Sequence, residues 1–180
     1  MDLKLKDKIA FVSGSTAGIG FATAQRFLME GAQVVINGRK KETVDDAVNK
    51  LRTAIDGAKV SGIAADFSKV DDINKLLKEL PEVDIIINNT GIFEPKAFED
   101  IPDEDWFRFF EVNVMSGIRL ARHYFPKMLK KNWGRIIFIS SESAVFIPDE
   151  MIHYGMTKHA QHSVRSGLAE LPNGTGVAGH

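Results

Sequence analysis

Tyr154 and Lys158 stand four residues apart in Tyr154-Gly-Met-Thr-Lys158, a spacing that puts a phenol and an ammonium on one face of a helix. A lysine charge beside a phenol favours the phenolate, which makes Tyr154 usable as a general acid/base near neutrality. Alone, such a pair is common on helix surfaces, so its meaning depends on its company. The apolar run 135–140 ends in Ser140-Ser141, and the run 83–87 ends in Asn88-Asn-Thr-Gly91, a polar turn. Asn113 interrupts the apolar stretch Glu111-Val-Asn-Val-Met115. An asparagine there either bends its helix by bonding the backbone or holds a water.

A second kind of chemistry is announced near the start. The run 8–12 leads into Ser13-Gly-Ser-Thr-Ala-Gly-Ile-Gly20, with glycines at 14, 18 and 20. A strand that turns sharply into a helix, with its backbone close to a pyrophosphate, needs such residues, and the helix N-terminus offers free N–H donors. Gly14 suits the tight turn, and Gly18 and Gly20 suit close approach. Ser13, Ser15 and Thr16 add hydroxyls. The spacing is Gly-x-x-x-Gly-x-Gly rather than the Gly-x-Gly-x-x-Gly of the commoner dinucleotide fingerprint. The second strand ends in Asn37-Gly-Arg-Lys40 with no acidic residue to receive a ribose 2′-hydroxyl. Arg39 and Lys40 suit a 2′-phosphate instead; the alternative is a solvated basic pair at a helix start.

These motifs need a scaffold that brings strand ends together, and the periodicity supplies one. Short apolar runs at 8–12, 31–36, 58–64, 83–87 and 135–140 read as strands, separated by helical patterns at 20–29, 41–55, 70–80, 102–131 and 153–169. The unbroken Ile85-Ile-Ile87 suits a strand buried on both faces. Alternating strand and helix imply an α/β fold, a doubly wound parallel sheet of Rossmann type, in one domain over 1–180. The 180 residues are 44% apolar and 26% charged, as a single globular domain requires. The absence of cysteine excludes disulfides, thiol nucleophiles and thiolate metal sites. A net charge of −1 argues against nucleic acid as a partner. No stretch approaches the ~20 apolar residues of a membrane span, and the charged N-terminus does not read as a signal peptide, so the expected location is the cytoplasm.

Taken together, Gly14-x-x-x-Gly18-Ile-Gly20, Asn88-Asn-Thr-Gly91, Asn113, Ser141 and Tyr154-x-x-x-Lys158 make the chain resemble the short-chain dehydrogenase/reductase family over about residues 8–170. The resemblance implies NAD(P)H-dependent interconversion of a carbonyl and a secondary alcohol. Tyr154 would be the general acid/base, Ser141 would bond the substrate oxygen, and Lys158 would favour the phenolate and hold the nicotinamide ribose. Asn113 would anchor a water in a proton relay through Lys158. Gly14, Ser15, Gly18, Ile19 and Gly20 would cradle the cofactor, Arg39 would select NADP(H) over NAD(H), Asp66 would contact the adenine, and Asn88 and Gly91 would flank the cofactor. Homodimers or homotetramers through the two long helices are also implied. Ser13 and Thr90 depart from the family's usual Thr and Ala.

Members of that family continue well past the Tyr–Lys helix. The resemblance therefore implies a chain incomplete at its C-terminus, lacking the last two parallel strands and leaving the fifth strand unpaired. The alternative function is a dinucleotide-binding module without catalysis of its own. His153, His159 and His162 share a helical stretch without a carboxylate partner, and no metal is assigned to them. Trp106, Phe107, Phe109 and Phe110 read as core or subunit-packing residues, and the acidic cluster 99–105 as a solvated helix start.

Overall fold

In the computed structural model, which describes residues 3–172 and 174–180, six parallel strands form one sheet in the order β3-β2-β1-β4-β5-β6. The strands are β1 (Ile9–Val12), β2 (Gln33–Gly38), β3 (Val60–Ala64), β4 (Ile85–Asn88), β5 (Gly134–Phe138) and β6 (Val177–Gly179). The order reverses between β1 and β4, so their carboxyl ends open a crevice at the centre of the sheet. The expected doubly wound architecture is present.

Alternation along each strand builds two cores. Phe11, Val35, Ile86 and Ile136 face α3 (Val70–Glu79) and α5 (Ser116–Lys131), with Val164 and Leu168 of α6 (Ile152–Glu170) packed against the same cluster. Val12, Val34, Ile36, Ile85 and Ile87 face α1 (Gly18–Met29) and α2 (Lys41–Ala54). Both faces of the central strands are therefore covered, which is why their sequences are continuous apolar runs.

Two expectations are corrected. The helix expected over 102–131 is divided: α4 (Asp103–Phe110) passes through a π-turn at Glu111–Met115 before continuing as α5. The fifth strand is also not left unpaired. Gly134, Arg135 and Ile136 of β5 stand in register with Val177, Ala178 and Gly179 of β6. Hydrogen bonds Phe138 N–H to His180 O and His180 N–H to Ile136 O, both 2.8 Å, extend the pairing. Asn132 prepares this edge: its backbone is left-handed (φ 53°) and ends α5, while its Oδ1 accepts from Gly176 N–H at 2.9 Å. Only three residues long, preceded by Gly176 and ending in Gly179, β6 carries too little apolar pattern to be read from sequence. Among the described residues no helix is long and apolar enough to cross a membrane.

Helix α2 packs tightly on the edge strand β3 because Gly62 has no side chain. A Cβ there would lie 2.3 Å from Val44 Cγ1 and 3.0 Å from Val48 Cγ2. Gly62→Val is expected to cost about 1–3 kcal/mol of unfolding free energy in urea through overpacking; unchanged stability would mean that α2 does not sit this close.

Candidate active site

Hydrogen-bonded polar side chains staple the ends of β1, β2 and β4 together before any ligand is considered. Ser13, 2% exposed, accepts from the N–H groups of Asn89 and Thr90 at 3.0 Å each, and its hydroxyl donates to Ile87 O at 3.3 Å. Asn89 returns the tie by donating from Nδ2 to Ser13 O (3.1 Å) and Gly14 O (2.8 Å). On the other side Asn37, 1% exposed, accepts from Gly14 N–H and donates to Ile63 O and Ala65 O. Ser15 completes the set: its hydroxyl donates to Val12 O at 2.6 Å and accepts from Asn37 N–H at 2.9 Å. Buried polar groups without such partners would oppose folding, so these side chains fix the strand ends in place.

This stapling fixes the glycine turn. Gly14 and Gly18 both have left-handed backbones (φ 58° and 57°), which only glycine adopts freely. A Cβ on Gly20 would strike Gly14 O at 2.6 Å and Ser15 Cα at 2.9 Å, so that glycine lets α1 close onto the turn. The turn borders a cleft of about 420 Å³ lined by Gly14, Thr16, Arg39, Asp66, Thr90 and Gly91, among others. The Thr90 Oγ1 atom is buried there without a partner.

The site residues expected from sequence divide accordingly. Gly14, Arg39, Asp66 and Gly91 line the cleft. Ser15 is fully buried and its hydroxyl is consumed within the turn, while Ile19 is 65% exposed at the start of α1. Asn88 lies behind the cleft, close to Gly117 of α5, and both polar atoms of its side chain lack partners. Its neighbour Asn89 lines the cleft instead. Burial opposes ionisation of Asp66, but the N–H and hydroxyl of Ser68, with Lys69 and Arg39 nearby, hold its carboxyl below the usual range.

The residues carrying the acid/base pattern gather behind Gly91 of the cleft lining. Asn113 sits in the π-turn, fully buried, and does not bond its own helix with its side chain. Its Oδ1 accepts from Ile92 N–H at 2.7 Å, and its Nδ2 donates to Ile92 O and Thr157 Oγ1 at 3.0 Å each. Asn113 thus fastens the segment after β4 to α6. Lys158, 4% exposed, donates from Nζ to Ile139 O at 2.8 Å and to Gln161 Oε1 at 3.2 Å. The Nζ lies 5.7 Å from the centre of the Tyr154 ring. Burial without a carboxylate pulls the Lys158 pKa down to about 8. A Cβ on Gly91 would lie 3.6 Å from Asn113 Oδ1 and 3.8 Å from Lys158 Nζ, so this glycine joins the cleft to the polar cluster.

Ser141 leads into a short 3₁₀ turn, Glu142–Ala144, and its Oγ accepts from Ser143 N–H at 3.2 Å. Gly155 lets α6 pack against this loop, since a Cβ there would lie 2.6 Å from Ile147 Cγ2 and 2.8 Å from Ser143 O. Phe93 sets its ring edge toward Tyr154, with centroids 6.2 Å apart. The three histidines diverge: His153 is buried against Phe109, His159 contacts Ala144 O, and His162 contacts Ser140 Oγ. Phe109 is core as expected, whereas Phe107 is 74% exposed. The acidic helix start is not merely solvated, because Asp105 pairs with Lys96 and Arg108 and clasps the segment after β4. Sequence reasoning missed Asn37, Asn89, Thr157 and Gln161. The available signal was a polar residue closing an apolar strand, or recurring on the Tyr154–Lys158 face of the helix.

Comparison with known proteins agrees with this geometry. A family model described as short chain dehydrogenase matches residues 8–178. The uncharacterized oxidoreductases YvaG and YvrD of Bacillus subtilis are each 49% identical over 98% of this chain, which spans 67% of their length. The crystal structure of L-sorbose reductase from Gluconobacter frateurii, complexed with NADPH and L-sorbose, superposes with a TM-score of 0.93 at 29% identity, over 98% of this chain and 68% of that one. Strand order, glycine turn and polar cluster all lie within the matched span, and the chain belongs to the short chain dehydrogenase family.

Proposed function

We propose that the chain is an NADP(H)-preferring oxidoreductase that interconverts a small carbonyl compound and its secondary alcohol. The observation that supports this reading is that Lys158 lies beside Tyr154, while Lys158 and Asn113 both approach Gly91, which lines the cleft that also holds Arg39. The residues present fit a dinucleotide. The close packing at Gly20 closes α1 onto the turn, and the unpartnered Thr90 hydroxyl lies buried against Gly14 of the same turn, a polar group the protein itself leaves unsatisfied beside the cleft. Gly14, Gly18 and Gly20 would admit the pyrophosphate, Arg39 the 2′-phosphate, Asp66 the adenine end and Lys158 the nicotinamide ribose. When bound, the nicotinamide supplies the hydride acceptor or donor.

The chain's own groups handle the proton. The Tyr154 hydroxyl gives a proton to the carbonyl oxygen in reduction and takes it back in oxidation. Lys158 would hold the nicotinamide ribose beside Tyr154, and Ser141 would donate a hydrogen bond to the substrate oxygen. Val145, Phe146 and Ile147, exposed after the 3₁₀ turn that follows Ser141, would give a substrate an apolar wall. A second reading, a cofactor-binding module without turnover, is favoured by one observation: Phe93 and Phe146 are 70% and 74% exposed, so among the described residues little walls in a substrate.

Incubation with NADPH and a panel of ketones, followed by nicotinamide absorbance, separates the two. Turnover supports the enzyme; cofactor-induced thermal stabilisation without turnover supports the module. Tyr154→Phe is expected to lower turnover by about 10²–10⁴-fold with cofactor binding retained, and lost binding would remove the assigned role. Arg39→Ala should weaken NADPH by roughly 10–100-fold through loss of charge-assisted bonds, leaving NADH unaffected; equal weakening would contradict the 2′-phosphate role.

The buried ammonium also predicts a pH effect. With a folded pKa of about 8 against the ordinary 10.5, the unfolded chain binds more protons than the folded one between those values. Stability therefore rises with pH across that window, while below it the desolvation cost is fully present. Denaturant titrations should show the native chain gaining on Lys158→Met between about pH 8 and 10.5; a constant difference would mean that Lys158 is not buried as a charge.

A further inference from the structure

One helical turn beyond Lys158, Gln161 is 2% exposed, with both ends of its carboxamide engaged. Its Oε1 accepts from Lys158 Nζ, and its Nε2 donates to the backbone carbonyl of Asn113 in the π-turn at 2.5 Å. Tyr154, Lys158 and Gln161 follow a four-then-three spacing on one face of α6, so a single helix presents the phenol, the ammonium and the group that braces the ammonium. The amide thus links Lys158 to the π-turn.

We propose that Gln161 is a positioning residue: its carboxamide spans Lys158 and Asn113 O and holds the ammonium beside Tyr154. Ile139 O is the other acceptor on Nζ, and no carboxylate balances the charge among the described residues. The neighbouring titratable groups are otherwise engaged. Glu111 of the π-turn pairs with Arg119, His159 contacts Ala144 O, and His162 contacts Ser140 Oγ. The centre of the Tyr154 ring lies 5.7 Å from the ammonium. Removing the Gln161 oxygen therefore removes one of two acceptors from a buried cation.

The role of the brace in turnover rests on the oxidoreductase reading; the brace itself does not, and the test keeps them apart. The test follows the Lys158 ammonium directly, by NMR titration of nitrogen-labelled lysine, with the resonance identified by its absence in Lys158→Met. Gln161→Met preserves side-chain length but lacks the acceptor, and should lower the titration midpoint of Lys158 by about one pH unit. Gln161→Glu supplies a carboxylate and should raise the midpoint by a similar amount. In parallel, kcat should fall in Gln161→Met with little change in substrate KM, and the two variants should displace the pH profile of alcohol oxidation in opposite directions. Unchanged midpoints in both variants, even with lowered thermal stability, would overturn the proposal by reducing Gln161 to packing. Should Gln161→Met fail to fold, the Gln161→Glu displacement still decides. Displaced midpoints in a chain without turnover would contradict the oxidoreductase reading and leave the brace standing.

Discussion

A lysine charge buried without a carboxylate is the constraint around which the rest of this molecule is organised. Lys158 is 4% exposed, and the folded chain must return by hydrogen bonds what the ammonium loses in hydration. Those bonds come from Ile139 O, just past the end of β5, and from Gln161 on the same helix. Both acceptors must be held in place. β5 is held by pairing with β4 and β6, and Gln161 by the π-turn carbonyl of Asn113. Strand pairing and the π-turn thus each hold one of the two acceptors of that cation.

The same logic accounts for the opposite end of the crevice. The carboxyl ends of β1, β2 and β4 carry Ser13, Asn37 and Asn89, whose hydrogen bonds run between strands rather than along them. The glycine turn is thereby positioned before any cofactor arrives. Pre-organisation of this kind reduces the ordering that binding would otherwise require. Gly91 links the halves, as it borders the cleft and touches the space between Asn113 and Lys158.

Much of this was legible in the sequence, and the gaps have physical causes. The five longer strands were readable because parallel strands buried on both faces need continuous apolar runs, as in Ile85-Ile-Ile87. The acid/base end was readable because helical spacing sets Tyr154 and Lys158 on one face. Strand β6 was not, since its three residues draw their pairing from β5 and from the Asn132 bond to Gly176. Asn113 was noticed as an anomaly, but its partners, Ile92 and Thr157, are distant in sequence, so its bonds could not be foreseen. Ser15 and Asn88 show how much of a side chain's surroundings the sequence leaves open. Their positions suggested ligand contacts, whereas the fold uses Ser15 internally and sets Asn88 against α5.

The central claim is that one crevice runs from Arg39, past the glycine turn, to the Tyr154–Lys158 pair and holds a single dinucleotide. A crystal structure of the chain grown with NADP⁺ tests it most directly. The account predicts the 2′-phosphate at Arg39 and the nicotinamide ribose at Lys158. A dinucleotide seated elsewhere, or one whose nicotinamide end lies away from Tyr154, would contradict it.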